Sequence, residues 1–200
     1  MTPAGGPGPT SPTTDHSPTT DEDGYAPMTT PAVPEIAVED PDRMRALGAR
    51  LAPLLRAGDL IILDGPLGAG KTVFVQGLAA GLGVRSPVTS PTFVLARVHT
   101  DGRLPLVHVD AYRLGGVAEV DDLDLDADLG RSVCVVEWGS GLVEQLAGAH
   151  LRVEISRPAG DEAGEVRRVR LRPAGADWAT RLTSLAVPDL TSHPQGSAAG

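Results

Sequence analysis

The 200-residue chain contains one cysteine, one lysine, and two each of tryptophan, tyrosine and phenylalanine. The single thiol rules out an internal disulfide, and its setting in Val133-Cys134-Val135-Val136 reads as a small buried hydrophobe, not a reactive group. Long apolar runs are also lacking: Leu60-Ile61-Ile62-Leu63 is typical of the longest, far below the ~20 residues of a membrane span. No basic segment followed by an apolar stretch opens the chain, so neither a secretory signal nor membrane association is expected, and the cytosol is the expected compartment. Positive charge is in short supply too, with 17 basic against 26 acidic residues and a formal charge of −9. A protein that grips nucleic acid by its own surface clusters Lys and Arg to neutralise phosphates, so any such contact here is expected to pass through a partner.

What is present supports one core of ordinary size. Residues 1–34 are dominated by Pro, Thr, Gly, Ser and Asp, with almost nothing to bury, and are expected to be a disordered tail. Residues 187–200 have the same character. The folded domain is therefore expected over 35–186, monomeric by itself.

Within that span the pattern alternates. Met44, Leu47, Leu51 and Leu54 fall at helical spacing over 41–55, with Asp40 or Asp42 as N-cap and Pro53 as an early stop. Residues 59–63 form a short apolar run between glycines, suited to a buried strand. A helix is expected over 70–82, stopped by Gly83. Residues 92–100 and 103–110 read as the arms of a hairpin around Asp101-Gly102, the first arm an added antiparallel strand. Further strands are expected over 133–137, 151–156 and 166–171, and a closing helix over 175–185. Strands alternating with helices predict a three-layer α/β fold.

The chemistry is concentrated between the first of these strands and the helix after it. Residues 65–72 read Gly65-Pro66-Leu67-Gly68-Ala69-Gly70-Lys71-Thr72, which fits G-x-x-x-x-G-K-[ST] at every fixed position and lies in the strand-to-helix context that motif needs. Glycines let the chain curl so that amides at a helix N-terminus converge on phosphates. The phosphate-holding set is then Gly65, Gly68, Ala69, Gly70, Lys71, Thr72 and Val73, with the Lys71 ammonium on the outer phosphates and the Thr72 hydroxyl on Mg²⁺. Sixteen of the seventeen basic residues are arginine, and the one lysine stands where a compact ammonium suits phosphates better than a planar guanidinium. The motif predicts a P-loop NTPase fold with a mainly parallel sheet plus antiparallel added strands.

Hydrolysis needs a carboxylate at the end of a neighbouring strand, to hold the metal or its waters and to orient the attacking water. Two apolar runs end in one: 106–109 in Asp110 and 133–136 in Glu137. A guanine site of the usual Asn-Lys-x-Asp type would need a second lysine, so ATP is the expected nucleotide.

The 65–72 loop, the Val88-Thr89-Ser90-Pro91-Thr92-Phe93 segment, the segment His108-Val109-Asp110-Ala111-Tyr112-Arg113-Leu114 and the triplet Val136-Glu137-Trp138 together resemble the TsaE family, over about residues 36–172. The resemblance implies an ATPase whose Mg²⁺ is held by Thr72 and Glu137. Thr89, Ser90 and Thr92 would form a switch near the γ-phosphate, and Asp110 would support hydrolysis. It further implies base contacts near Asp40 and Pro41 and near Gly164 to Arg168. The family binds the TsaD and TsaB proteins, which transfer a threonylcarbamoyl group to adenosine 37 of tRNAs reading ANN codons. ATP turnover would reset that assembly, and tRNA would be met only through it.

Several residues stay open. Trp138 either covers the nucleotide or contacts a partner, or is a core aromatic. Arg113 is a phosphate or partner contact, or simply exposed. His108 is expected to point away from the neighbours of Asp110 and to be structural. Pro66 stands where the family usually has aspartate, and removes one amide from the loop. Two rival readings share the scaffold: a small-molecule P-loop kinase, and a nucleotide-gated scaffold without useful turnover.

Overall fold

Three strands hidden on both faces organise the molecule. A computed structural model of the chain describes residues 35–123, 125, 129–157 and 166–185; the expectations for 1–34, for 187–200 and for Gly164 lie outside them. Strands β2 (Leu60–Asp64), β4 (Leu106–Asp110) and β5 (Val133–Glu137) are near-continuous apolar runs, as strands covered above and below must be. With β6 (His150–Ser156) they form a parallel core in the order β6-β2-β5-β4. Antiparallel strands extend both edges: β3 (Ala96–His99) beyond β4, then β7 (Arg167–Ala174) and β1 (Ile36–Val38) beyond β6. The described strands make one seven-stranded mixed sheet, so the parallel character belongs to its centre and the antiparallel pairings to its margins.

Helices α1 (Pro41–Leu51) and α2 (Lys71–Gly81) cover one face, where Leu47, Leu51, Phe74 and Leu78 pack on Ile61, Leu63 and Val135. A Cβ at Gly77 would run into the Arg45 carbonyl, and one at Gly48 into the Phe74 carbonyl, so these two glycines set how closely the helices approach. Helix α4 (Ala176–Leu182) seals the same face with Trp178, which is fully buried. The other face collects Leu60, Ile62, Val107, Val109, Cys134 and Val136 beneath the short helix α3 (Val117–Asp121). Cys134 is buried there, and burial pushes its thiol up to about 12, as an inert hydrophobe requires.

Local chemistry sets the element ends. The Asp40 carboxylate accepts from the Arg43 amide at 2.7 Å and caps α1. The helix gives way after Leu51 to a single 3-10 turn, Ala52–Leu54, that contains Pro53. The hairpin differs from expectation at both of its loops. Its first arm starts only at Ala96, because Leu95 turns the chain with φ 66°. The pair His99 and Leu106 closes the ladder, so residues 100–105 form a wide loop and not a two-residue turn. Asp101 is diverted from turn chemistry: its Oδ2 accepts from the Arg85 and Ser86 amides at 2.9 and 2.8 Å.

Candidate active site

The Walker segment folds as its glycines require. β2 delivers the chain to Gly65 at the carboxyl edge of the sheet, and Gly65, Gly68 and Gly70 take φ values of 149°, 72° and 108°. These conformations disfavour side chains, and a Cβ at Gly65 would also strike the Ile155 carbonyl of neighbouring β6. Pro66 contributes its carbonyl instead of an amide: it accepts from Ala69 N at 3.1 Å and from Lys71 Nζ at 3.1 Å. Lys71 Nζ also donates to the Gly65 carbonyl at 2.7 Å. Lys71 as a whole is 5% exposed, and burial lowers its pKa against the opposing pull of Glu137, Asp110 and Asp64.

Both strand-end carboxylates reach this loop. Parallel pairing sets Asp110 directly beside Glu137. Glu137 Oε1 accepts from Thr72 Oγ1 at 2.8 Å, so the two residues expected to share a metal meet at one point. Asp110 Oδ2 accepts from Thr92 Oγ1 at 2.6 Å and from Ser90 Oγ at 3.2 Å, and the two hydroxyls bond each other at 2.6 Å. Asp110 Oδ1 takes the Tyr112 amide at 3.0 Å. Gln76 of α2 tethers the start of the same segment through the Val88 carbonyl. Thr89 is exposed and stands outside the Asp110 set.

Trp138 belongs to the site, not the core. Its backbone sits at φ 62°, which aims the indole back over the loop: Lys71 Nζ lies 3.7 Å from a ring centroid, and the Tyr112 ring packs on the indole at a tilt, 5.1 Å between centroids. The arrangement offers a glycine-rich curl at a helix N-terminus, one ammonium, one hydroxyl and two carboxylates within a single mouth.

A model of the family described as threonylcarbamoyl adenosine biosynthesis protein TsaE matches residues 38–167. The chain belongs to the TsaE family. It is 62% identical over 146 residues to a tRNA threonylcarbamoyladenosine biosynthesis protein TsaE of Streptomyces coelicolor, covering 71% of this chain and 98% of that protein. The protein of the same name from Bacillus subtilis is 42% identical over 128 residues, 64% of this chain and 79% of its own length. The crystal structure of Bacillus subtilis YdiB superposes with a TM-score of 0.61 at 31% identity, over 76% of this chain and 93% of that one. This likeness agrees with the P-loop NTPase fold read from the strand, loop and helix.

Three expectations for this TsaE-family chain need correction or completion. His108 does not turn away from the site: residues two apart on a strand share a face, and His108 Nε2 lies 2.9 Å from Glu137 Oε1. Arg168 does not face the cavity by the loop. That cavity is lined by Asp40, Pro41, Met44, Gly70, Val73 and Arg167, whereas Arg168 points to the opposite side of β7 and pairs with Glu35 at 2.6 Å. Strand alternation turns Arg167, which belongs to the same expected stretch, to the cavity and Arg168 away from it. Arg113 stacks its guanidinium 4.9 Å from the ring centroid of Phe93, which ties it to the 88–93 segment and not to the loop. Sequence reasoning also missed Arg157, whose Nη2 donates to the Gly68 carbonyl at 2.7 Å. Its signal was its position just past β6, the strand that runs parallel to β2 and so ends beside the same loop.

Proposed function

We propose that the protein hydrolyses ATP to ADP and phosphate, and that it does so to serve threonylcarbamoylation of adenosine 37 in tRNA by engaging the TsaD and TsaB proteins. The observation that carries the reading is the meeting of Thr72 Oγ1 and Glu137 Oε1 at 2.8 Å beside the buried Lys71. A hydroxyl and one carboxylate make a fitting partial shell for Mg²⁺, which keeps waters and takes its remaining oxygens from phosphates.

When bound, the Mg²⁺ ion would supply charge neutralisation between the outer phosphates. The chain's own parts do the rest. The amides of residues 68–73 orient the phosphate chain at the N-terminus of α2. Lys71 exchanges the carbonyls of Gly65 and Pro66 for phosphate oxygens, moving its charge to where negative charge develops. Asp110 holds Ser90 and Thr92 near the mouth, and its carboxylate is the group that orients the attacking water. Release of those two hydroxyls frees the 88–95 segment, an order-to-disorder step of the kind that couples phosphate state to a partner.

Phosphate release from Mg-ATP, measured for the protein alone and with the purified TsaD–TsaB pair, tests the proposal. Stimulation by the pair that Lys71→Ala abolishes is the expected result. Transfer of phosphate to a metabolite, or full tRNA modification with a Glu137→Gln variant that no longer hydrolyses ATP, would overturn it.

A further inference from the structure

Among the described residues, His108 is the one wholly buried ionisable side chain that faces the catalytic carboxylates without a role in the reading above. It is 0% exposed on β4, on the face shared with Asp110, and it reaches Glu137 on the next strand. A carboxylate only accepts, so the 2.9 Å contact to Oε1 puts a hydrogen on Nε2. The other ring nitrogen, Nδ1, is buried with no partner. A bare Nδ1 is the less costly way to leave it so, because the opposite tautomer would strand an N–H donor and set a lone pair against the carboxylate.

Glu137 Oε1 thus receives two bonds from two different elements, His108 Nε2 from β4 and Thr72 Oγ1 from α2, while Oε2 takes none from the described residues. Two donors on one oxygen fix the plane of a carboxylate that would otherwise turn about the end torsion of a long side chain. The imidazole does this as a neutral donor. A lysine or arginine in its place would draw the carboxylate into an ion pair and away from a cation.

We infer that His108 is a positioning residue for Glu137, orienting its free oxygen toward Mg²⁺; this rests on Glu137 being the magnesium carboxylate. The experiment is calorimetric titration of ATP into the full chain, in EDTA and across a Mg²⁺ series, for wild type, His108→Met, His108→Gln and Glu137→Gln. His108→Met is expected to raise the Mg²⁺ concentration for half-maximal tightening of ATP binding by about ten- to a hundredfold, the usual cost of losing an outer-shell partner. Its affinity in EDTA stays as in wild type, and His108→Gln, whose amide nitrogen reaches the Nε2 position, recovers most of the loss. Equal weakening with and without Mg²⁺, or an unchanged Mg²⁺ requirement, would overturn the inference. If Glu137→Gln itself leaves the Mg²⁺ requirement untouched, the metal reading fails and takes this one with it. Should His108→Met not fold, long-range ¹⁵N–¹H spectra of wild-type imidazoles decide: the Nε2–H tautomer at His108 supports the assignment, and the Nδ1–H tautomer refutes it.

Discussion

The chain buries charge at both ends of its sheet, and it treats the two ends differently. At the amino edge, Arg181 grips Asp59 through two bonds of 2.7 Å, donates to the Leu54 carbonyl at 2.8 Å and lies 3.8 Å over the Trp178 ring. Asp59 also takes the Arg56 amide, and Arg181 Nε lies 2.9 Å from Asp177, so the cluster answers its own charges. At the carboxyl edge, Lys71 is turned onto loop carbonyls, Glu137 offers one oxygen to two donors, and the backbone is held at positive φ at Gly65, Gly68, Gly70 and Trp138. The first arrangement has each charge answered by its opposite. The second keeps like groups close and charges answered by dipoles, which is how a site holds polar groups ready for something else. Buried charge alone therefore does not mark function; the manner of its satisfaction does.

This contrast can be broken from either side. Removing one partner of the Arg181–Asp59 pair should have the largest effect on the fold: Arg181→Met is expected to cost about 3–5 kcal/mol in urea unfolding by leaving Asp59 buried and unanswered. Nucleotide affinity of the folded fraction should be unchanged, and a loss of ATP binding at constant stability would erase the distinction between the two ends. Lys71→Ala should do the reverse, lowering phosphate release about 10²- to 10³-fold while the unfolding midpoint holds or rises. Between them lies the helix contact: Gly77→Ala forces α2 off the Arg45 carbonyl and should cost about 1–3 kcal/mol by overpacking, read in the same urea experiment. Thr92→Val removes one anchor on Asp110, worth about 1 kcal/mol, and should speed hydrogen exchange across 88–95 with little change in global stability.

The smallest effect concerns His99. Burial lowers its pKa from 6.5, opposed by Asp101. The folded state therefore takes up its proton less readily than the unfolded chain. Its contribution is intact above pH 6.5 and is lost as pH falls from there through the depressed folded value. A His99→Phe variant should flatten that part of the stability profile. An unchanged slope would assign the dependence to other groups.

How much of this was legible in the sequence follows the physics of each part. The Walker loop and the strands ending in Asp110 and Glu137 were readable because glycines, a lysine and apolar runs at fixed spacing encode them locally. Helix α1 was readable to its last turn, since Asp40 and Pro53 mark both ends. Strand β1 was not, because three residues carry too little pattern, and its existence depends on pairing with Val169 and Arg167 far along the chain. The register of the hairpin escaped for a related reason: Asp101 was recruited by amides at 85 and 86, a tertiary partner that outcompetes the local turn. His108 was misplaced by a count of strand alternation off by one, which sends a side chain to the wrong face of a sheet, whereas the stretch up to Arg168 carries no motif to say which of its residues meets the cavity.

The sequestration of Lys71 has a practical corollary for mapping contacts. It is the sole side-chain amine of the chain, and at 5% exposure it is shielded by an indole and two carbonyls. Among side chains, amine-directed cross-linkers have only Lys71 to react with, and a link there reports entry into the Walker loop, not proximity to a neighbour. Carboxylate- or guanidine-directed reagents are the ones that can trace its contacts.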